Sequence, residues 1–142
     1  MSSFPSPGWV ELANGVVPLH CWWAPSQVSA NDIEAKSLIK RVYIVLPEVF
    51  GVNAWVRSVA DRLAAHGHPA LALPLFSRTA PDLELAYAPS DLAQGRRHKD
   101  ATTADQILGD VSAALSWLQA RYPHAAIHVV GFCFGGHAAF LA

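Results

Sequence analysis

At 142 residues, 52% apolar and 15% charged, the chain has the length and composition of one globular domain with a well-filled core, which excludes a disordered or fibrous polypeptide. A domain of this size buries roughly 68 to 70% of its unfolded surface and needs no disulfide staple. With 10 basic and 11 acidic residues the net charge is −1, a balance that argues against a nucleic-acid partner. No apolar run reaches the roughly 18 residues of a membrane span, and the start MSSFPSPGWV has no basic segment followed by an apolar one, so neither membrane insertion nor secretion is expected. Cys21 and Cys133 lie too far apart for metal-ligand spacing. Such sparse cysteine fits a reducing compartment, and the cytoplasm is the expected location.

No internal repeat or low-complexity tract is present, so hydrophobic period is the guide. Trp9 to Leu12 and Val16 to Trp23 flank Ala13-Asn14-Gly15 and read as an antiparallel entry hairpin. Ala24 to Lys40 mixes small polar and charged residues and reads as a surface connection. Val42 to Leu46 is an unbroken β-branched and apolar run ending at Pro47, the signature of a strand covered on both faces. Asn53 then caps a helix with Val56, Val59, Ala60, Leu63 and Ala64 on one face and Gly67 as its stop. Ala70 to Leu73 is the next strand. Ser77 to Lys99 reads as an irregular excursion that includes one helical turn. Thr103-x-x-Gln106 is a capping box for a helix carrying Ile107, Val111, Ala114, Leu115 and Leu118, which ends at Tyr122-Pro123. Ile127 to Val130 is a further buried strand, and Gly135 to Ala142 begins another helix. The order β-β-β-α-β-α-β-α specifies an α/β layered fold, mostly parallel, with an antiparallel N-terminal edge. The last helix has two turns, no C-cap and an apolar end at Phe140 and Leu141, so residues 1–142 are expected to form one incomplete α/β domain.

Gly131-Phe132-Cys133-Phe134-Gly135-Gly136 joins a strand to a helix and reads as a Gly-x-Cys-x-Gly form of the nucleophile elbow. Strand and helix pass so closely in such a turn that the flanking residues carry no side chain. Glycine meets that demand. The thiol stands at a helix N-terminus, where unpaired N–H groups and the helix dipole stabilise a thiolate. The rival reading, a small buried thiol between two Phe rings, fits the strand-to-helix position less well. Cys21, inside Leu19-His20-Cys21-Trp22-Trp23, is read as core or edge packing. Glu48, in Pro47-Glu48-Val49-Phe50-Gly51-Val52-Asn53, falls at the carboxyl edge of the parallel sheet, where open α/β folds bind ligands. Its apolar neighbours would desolvate an unpartnered charge, which separates it from an ordinary solvated carboxylate.

Together, Leu46-Pro47-Glu48-Val49-Phe50-Gly51-Val52-Asn53 with Arg57 on the helix after it, Pro74-Leu75-Phe76-Ser77-Arg78-Thr79-Ala80-Pro81 and the Cys133 turn resemble the dienelactone hydrolase family of α/β-hydrolases. The resemblance runs from about Trp9 to the last residue. It implies an α/β-hydrolase-type sheet truncated after the elbow, and hydrolysis of a dienelactone or related ester or lactone through a thioester acyl-enzyme. It also implies Cys133 as nucleophile, Glu48 as the carboxylate that hydrogen-bonds the resting thiol and shares in its activation, and the N–H groups of Val49 and Phe134 as the oxyanion hole. Arg78 matches the family's local pattern and is, with Arg97, a candidate for binding substrate. The family's triad Asp and His lie after the elbow and have no counterpart in these residues, and Pro74 stands where the family often has Asp. No cofactor and no metal are implied. The expected partner is a small-molecule lactone or ester, and the oligomeric state is left open.

Arg96-Arg97-His98-Lys99 is the one dense basic cluster. With Asp91 and Asp100 nearby it reads first as a solvated loop and second as a group that steers a carboxylated substrate. His66-Gly67-His68 spans a helix C-cap and lacks a carboxylate or thiol at ligand spacing. Trp55 and Trp117 fall on helices as packing residues. His66, His68, His124 and His128 belong at the amino edge of the sheet, His20 on the hairpin and His137 a turn beyond Cys133. Only His98 reaches the edge that carries the thiol. Two rival functions remain: a glutamine amidotransferase-like cysteine hydrolase, which shares the Gly-x-Cys-x-Gly turn without the Glu48 setting, and a catalytically silent module that binds or assembles through apolar surface.

Overall fold

The structure is a computed structural model and describes residues 6–26 and 37–142. Its entry hairpin pairs β1 (Gly8–Ala13) with β2 (Pro18–Ala24) antiparallel, with Val10 opposite Cys21. Asn14 makes the turn: its Oδ1 accepts from the N–H groups of Val16 and Val17, each at 2.8 Å, the local bond that suits Asn to turns. β3 (Arg41–Leu46) is flanked in parallel by β4 (Ala70–Ala72) and β5 (Ala126–Gly131), and β2 closes antiparallel on β4. The sheet order is therefore β1-β2-β4-β3-β5. Most of the expected surface connection, residues 27–36, lies outside the described residues.

The helices are α1 (Ala54–Ala65), α2 (Pro89–Asp100), α3 (Ala104–Arg121) and α4 (Phe134–Leu141). Asn53 caps α1 as its position predicts, Oδ1 accepting from the Val56 N–H at 3.2 Å. Thr103 and Gln106 close a reciprocal capping box on α3 at 2.9 and 3.2 Å. Because successive side chains of a strand point to opposite faces, β3 serves two cores. Val42, Ile44 and Leu46 pack with Ile107, Val111, Ala114 and Leu118 of α3 and Ala138 of α4, whereas Val45 packs with Val56, Ala60 and Ala64 of α1. Each fully buried Leu or Ile contributes about 1.5–3 kcal/mol of transfer free energy, so β3 with these partners fixes the frame on which the loops stand. Among the described residues no helix is long and apolar enough to cross a membrane.

Two expectations need correction. The excursion from Ser77 to Lys99 is not irregular throughout, since Pro89–Asp100 is a three-turn helix. Its signals lie at its ends: Pro89 opens the first turn, Asp91 Oδ2 accepts from the Ala88 N–H at 3.1 Å, and Arg97, His98 and Lys99 face the negative end of the dipole. Only Gly95 is buried, so no apolar stripe advertises the helix. The strand over Ile127 to Val130 is half-exposed rather than buried, because β5 is an edge strand paired with β3 alone among the described residues.

Candidate active site

Cys133 sits between the end of β5 and the first residue of α4 with φ 49° and ψ −114°, the one non-glycine residue at positive φ among the described residues. Such a backbone costs on the order of 1–3 kcal/mol and persists only where its surroundings over-determine it. Here they do. A Cβ on Gly131 would stand 2.6 Å from the Gly136 nitrogen, and one on Gly135 would stand 2.7 Å from the carbonyl carbon of Leu46. The ends of β3, β5 and α4 thus converge with no room for a side chain, and Phe132 N–H donates to Leu46 C=O at 3.1 Å across the junction. The consequence is a free thiol that is exposed at the carboxyl edge of the sheet.

β3 and β5 are parallel neighbours, so the loop after β3 faces this turn. Glu48, Val49, Phe50, Leu92, Arg96, Lys99, Cys133 and Phe134 line one cavity of about 320 Å³. The Phe134 N–H belongs to the first turn of α4 and has no intrahelical partner, and the Val49 N–H has no acceptor among the described residues. The Phe134 ring stacks on Phe76 at 5.8 Å, and Phe76 in turn on His98 at 6.2 Å.

The loop that carries Glu48 is strapped from outside by the segment before α2. Leu85 N–H donates to Phe50 C=O at 2.9 Å, and Asn53 Nδ2 donates to Leu85 C=O at 3.2 Å and to Tyr87 Oη at 3.1 Å. Arg57 joins in, donating to Val52 C=O at 2.9 Å and pairing with the Glu84 carboxylate. Sequence reasoning noted Arg57 only as part of a pattern; its partner Glu84 carried no separate signal.

Of the expected site residues, the structure gathers Cys133, Glu48, Val49 and Phe134 around one cavity, and it places the two candidate arginines elsewhere. Arg78 forks onto Asp110, Nη1 to Oδ2 at 3.0 Å and Nη2 to Oδ1 at 3.2 Å. Asp110 is fully buried on α3 and also accepts from Asn14 Nδ2 at 2.6 Å, which anchors the entry hairpin. Arg97 is exposed on α2 and outside the cavity lining, whereas Arg96 and Lys99 line it. His98 holds Thr79, Nδ1 to Oγ1 at 2.9 Å. Cys21 is buried, and burial together with the nearby Asp110 charge pushes its thiol pKa up, which leaves it inert. Among the described residues no three His, Cys, Asp or Glu side chains gather as a metal would require.

A Synechocystis sp. protein is 37% identical over 102 residues, 70% of this chain and 42% of that protein. The carboxymethylenebutenolidase of Pseudomonas putida is 32% identical over 104 residues, 70% of this chain and 43% of that one. The chain thus spans less than half the length of either relative. Among solved structures, the dienelactone hydrolase of Anabaena variabilis shares the fold with a TM-score of 0.62 at 19% identity, over 95% of this chain and 55% of that chain. The model of the dienelactone hydrolase family matches residues 30–142, which include the Glu48 loop, α2 and the Cys133 turn, and the chain belongs to that family.

Proposed function

We propose that Cys133 is the nucleophile of an ester or lactone hydrolase that works through a thioester acyl-enzyme, with Glu48 taking the thiol proton and the N–H groups of Val49 and Phe134 receiving the oxyanion. The observation that carries this reading is the strained φ of 49° at Cys133, at the mouth of a cavity shared with Glu48. Backbone strain is retained where it presents a reacting atom. Sulfur attacks the substrate carbonyl carbon while its proton passes to the Glu48 carboxylate. The carbonyl electron pair moves onto oxygen, facing the two N–H groups, a donor pair whose single members are commonly worth about 10²- to 10³-fold in rate. Collapse breaks the acyl C–O bond, the leaving oxygen departs with the proton held by Glu48, and a thioester remains.

Hydrolysis of that thioester needs a base to activate water. The family resemblance assigns that work to a His after the elbow. Within these residues, His98 is engaged by Thr79 and stacked on Phe76. The 142 residues therefore support acylation without turnover. Mixing the chain with p-nitrophenyl acetate tests this: nitrophenolate release should stop at one equivalent, with one acetyl group on Cys133 by peptide mass and none in Cys133→Ala. A folded chain acetylated only at lysine would overturn the reading.

A further inference from the structure

We infer that Arg57 is a positioning residue for acyl transfer: with Glu84 it clamps the far end of the turn that aims the Val49 N–H at the oxyanion. This rests on Cys133 as nucleophile and on Val49 as a donor to the oxyanion. Glu48 to Gly51 form a four-residue turn, closed by the Gly51 N–H donating to Glu48 C=O at 3.3 Å, with Val49 and Phe50 at its centre. The orientation of the peptide that carries the Val49 N–H follows from that turn. Its exit is held by the segment before α2. Gly51 bridges Glu84 antiparallel, and Leu85 N–H donates to Phe50 C=O at 2.9 Å. Gly51, at φ 82°, packs so closely on this segment that an added Cβ would stand 2.8 Å from the Leu83 carbonyl carbon.

Arg57 ties this segment to the loop from the other side. Placed in the first turn of α1, it reaches back so that Nη1 donates to Val52 C=O at 2.9 Å and pairs with the Glu84 carboxylate. One nitrogen thus joins the residue after Gly51 to the residue that bridges Gly51. The guanidinium is itself held in place: its central carbon lies 5.3 Å from the Trp9 ring centre and 5.6 Å from that of Trp22, within cation–π range. Trp22 is fixed in turn by Nε1 donating to Asp61 Oδ1 at 2.8 Å. The side chains of Arg57 and Glu84 are 22% and 47% exposed, and an ion pair with one partner so open to water adds little to folding. What the pair holds is geometry. An oxyanion donor works only within hydrogen-bond reach of the charge that develops, so a loosened turn weakens acyl transfer while the thiol itself is untouched.

The test compares two reactions of Cys133, each followed by peptide mass. With p-nitrophenyl acetate an S–C bond forms at a carbonyl, an oxyanion develops and nitrophenolate leaves. With iodoacetamide an S–C bond forms at a saturated carbon as iodide leaves, and no oxyanion arises. Arg57→Gln should lower the acetylation rate by about 10-fold or more, toward the roughly 10²- to 10³-fold commonly lost with one donor, and keep alkylation within about 2-fold of the parent. Glu84→Gln should act in the same direction and less strongly, and Arg57→Lys, which keeps the charge and a donor, should recover part of the loss. Arg62→Gln, exposed on the same helix, should change neither rate. If Arg57→Gln fails to fold, Glu84→Gln decides the matter. Folded variants that acetylate at the parental rate, or a fall shared equally by both reactions, would overturn the inference. A parent chain alkylated at Cys133 but never acetylated there would instead overturn the hydrolase reading, and the inference with it, so the two failures are distinguishable.

Discussion

The carbonyl group of Val49 packs directly on the backbone of Gly95, so that a Cβ built on Gly95 would stand 3.0 Å from the Val49 carbonyl carbon and overlap its oxygen. This contact locks α2 onto the loop that carries Glu48 and so shapes one side of the cavity. Glycine in a helix costs roughly 0.5–1 kcal/mol relative to alanine, and here the close approach demands it.

Gly95→Ala should therefore lower stability despite its better helix propensity. Overpacking costs about 1–3 kcal/mol, against the propensity gain of about 0.5–1 kcal/mol. Gly109 in α3 is the control, because nothing lies within 4 Å of an added Cβ there. Gly109→Ala should raise stability by up to about 1 kcal/mol. Denaturant titration measures both, and acetylation of Cys133 should slow only in Gly95→Ala. Equal stabilisation by both changes would show that α2 does not press on Val49.

The two cysteines should differ sharply in reactivity. Cys133 is exposed, whereas Cys21 is buried with its thiol pKa driven up by desolvation and by the Asp110 charge. An aromatic disulfide reagent should label one thiol in the folded chain and the second only on unfolding. Two equivalents released at the same rate under native conditions would contradict the burial of Cys21.

What was legible in the sequence divides along physical lines. Strand β3, the cap at Asn53, the box at Thr103 and Gln106 and the turn at Cys133 each rest on local chemistry, and each forms where its residues predict. Helix α2 escaped because its stabilisation is non-local. Its only buried residue is Gly95, whose role emerges only once Val49 is folded against it. Missing that helix hid the cavity wall as well, since Arg96 and Lys99 share a face only if Pro89–Asp100 is helical. The place of Arg78 is hidden for a related reason: its buried partner Asp110 lies 32 residues away, in a helix whose dominant sequence signal is its apolar face. A lone Asp amid Ile107, Val111 and Ala114 was the available clue.

Stability should carry a small pH signature from His20. Its Nδ1 lies 2.5 Å from Asp82 Oδ1 and its Nε2 3.5 Å from Glu11 Oε2. The hydrogen bond to Asp82 comes first, and with the charges of Asp82 and Glu11 it raises the pKa above the ordinary 6.5, partly opposed by burial. A folded pKa above the unfolded one stabilises the fold fully below the unfolded value, and the gain is lost as pH rises through the folded value. The melting-temperature difference between the parent and His20→Gln should thus be largest below pH 6.5 and should shrink above it. Because both carboxylates are exposed, salt should erase it. A difference that grows with pH would mean that His20 is held neutral.

Arg78 should act on stability rather than on substrate choice. Removing it leaves Asp110, which is fully buried, with Asn14 as its remaining partner. Breaking a buried ion pair from one side costs about 3–5 kcal/mol, and the side-chain exposure of Arg78, 21%, places Arg78→Met at about the lower end of that range. Adding Asp110→Asn should recover part of the loss, because the uncharged amide no longer leaves a buried charge uncompensated while it can still accept from Asn14. A double-mutant cycle by denaturant titration gives the coupling directly. Acetylation of Cys133 by p-nitrophenyl acetate should meanwhile keep its rate in Arg78→Met at temperatures where the variant is folded. A variant of full stability whose acetylation slows would instead place Arg78 at the cavity and release it from Asp110.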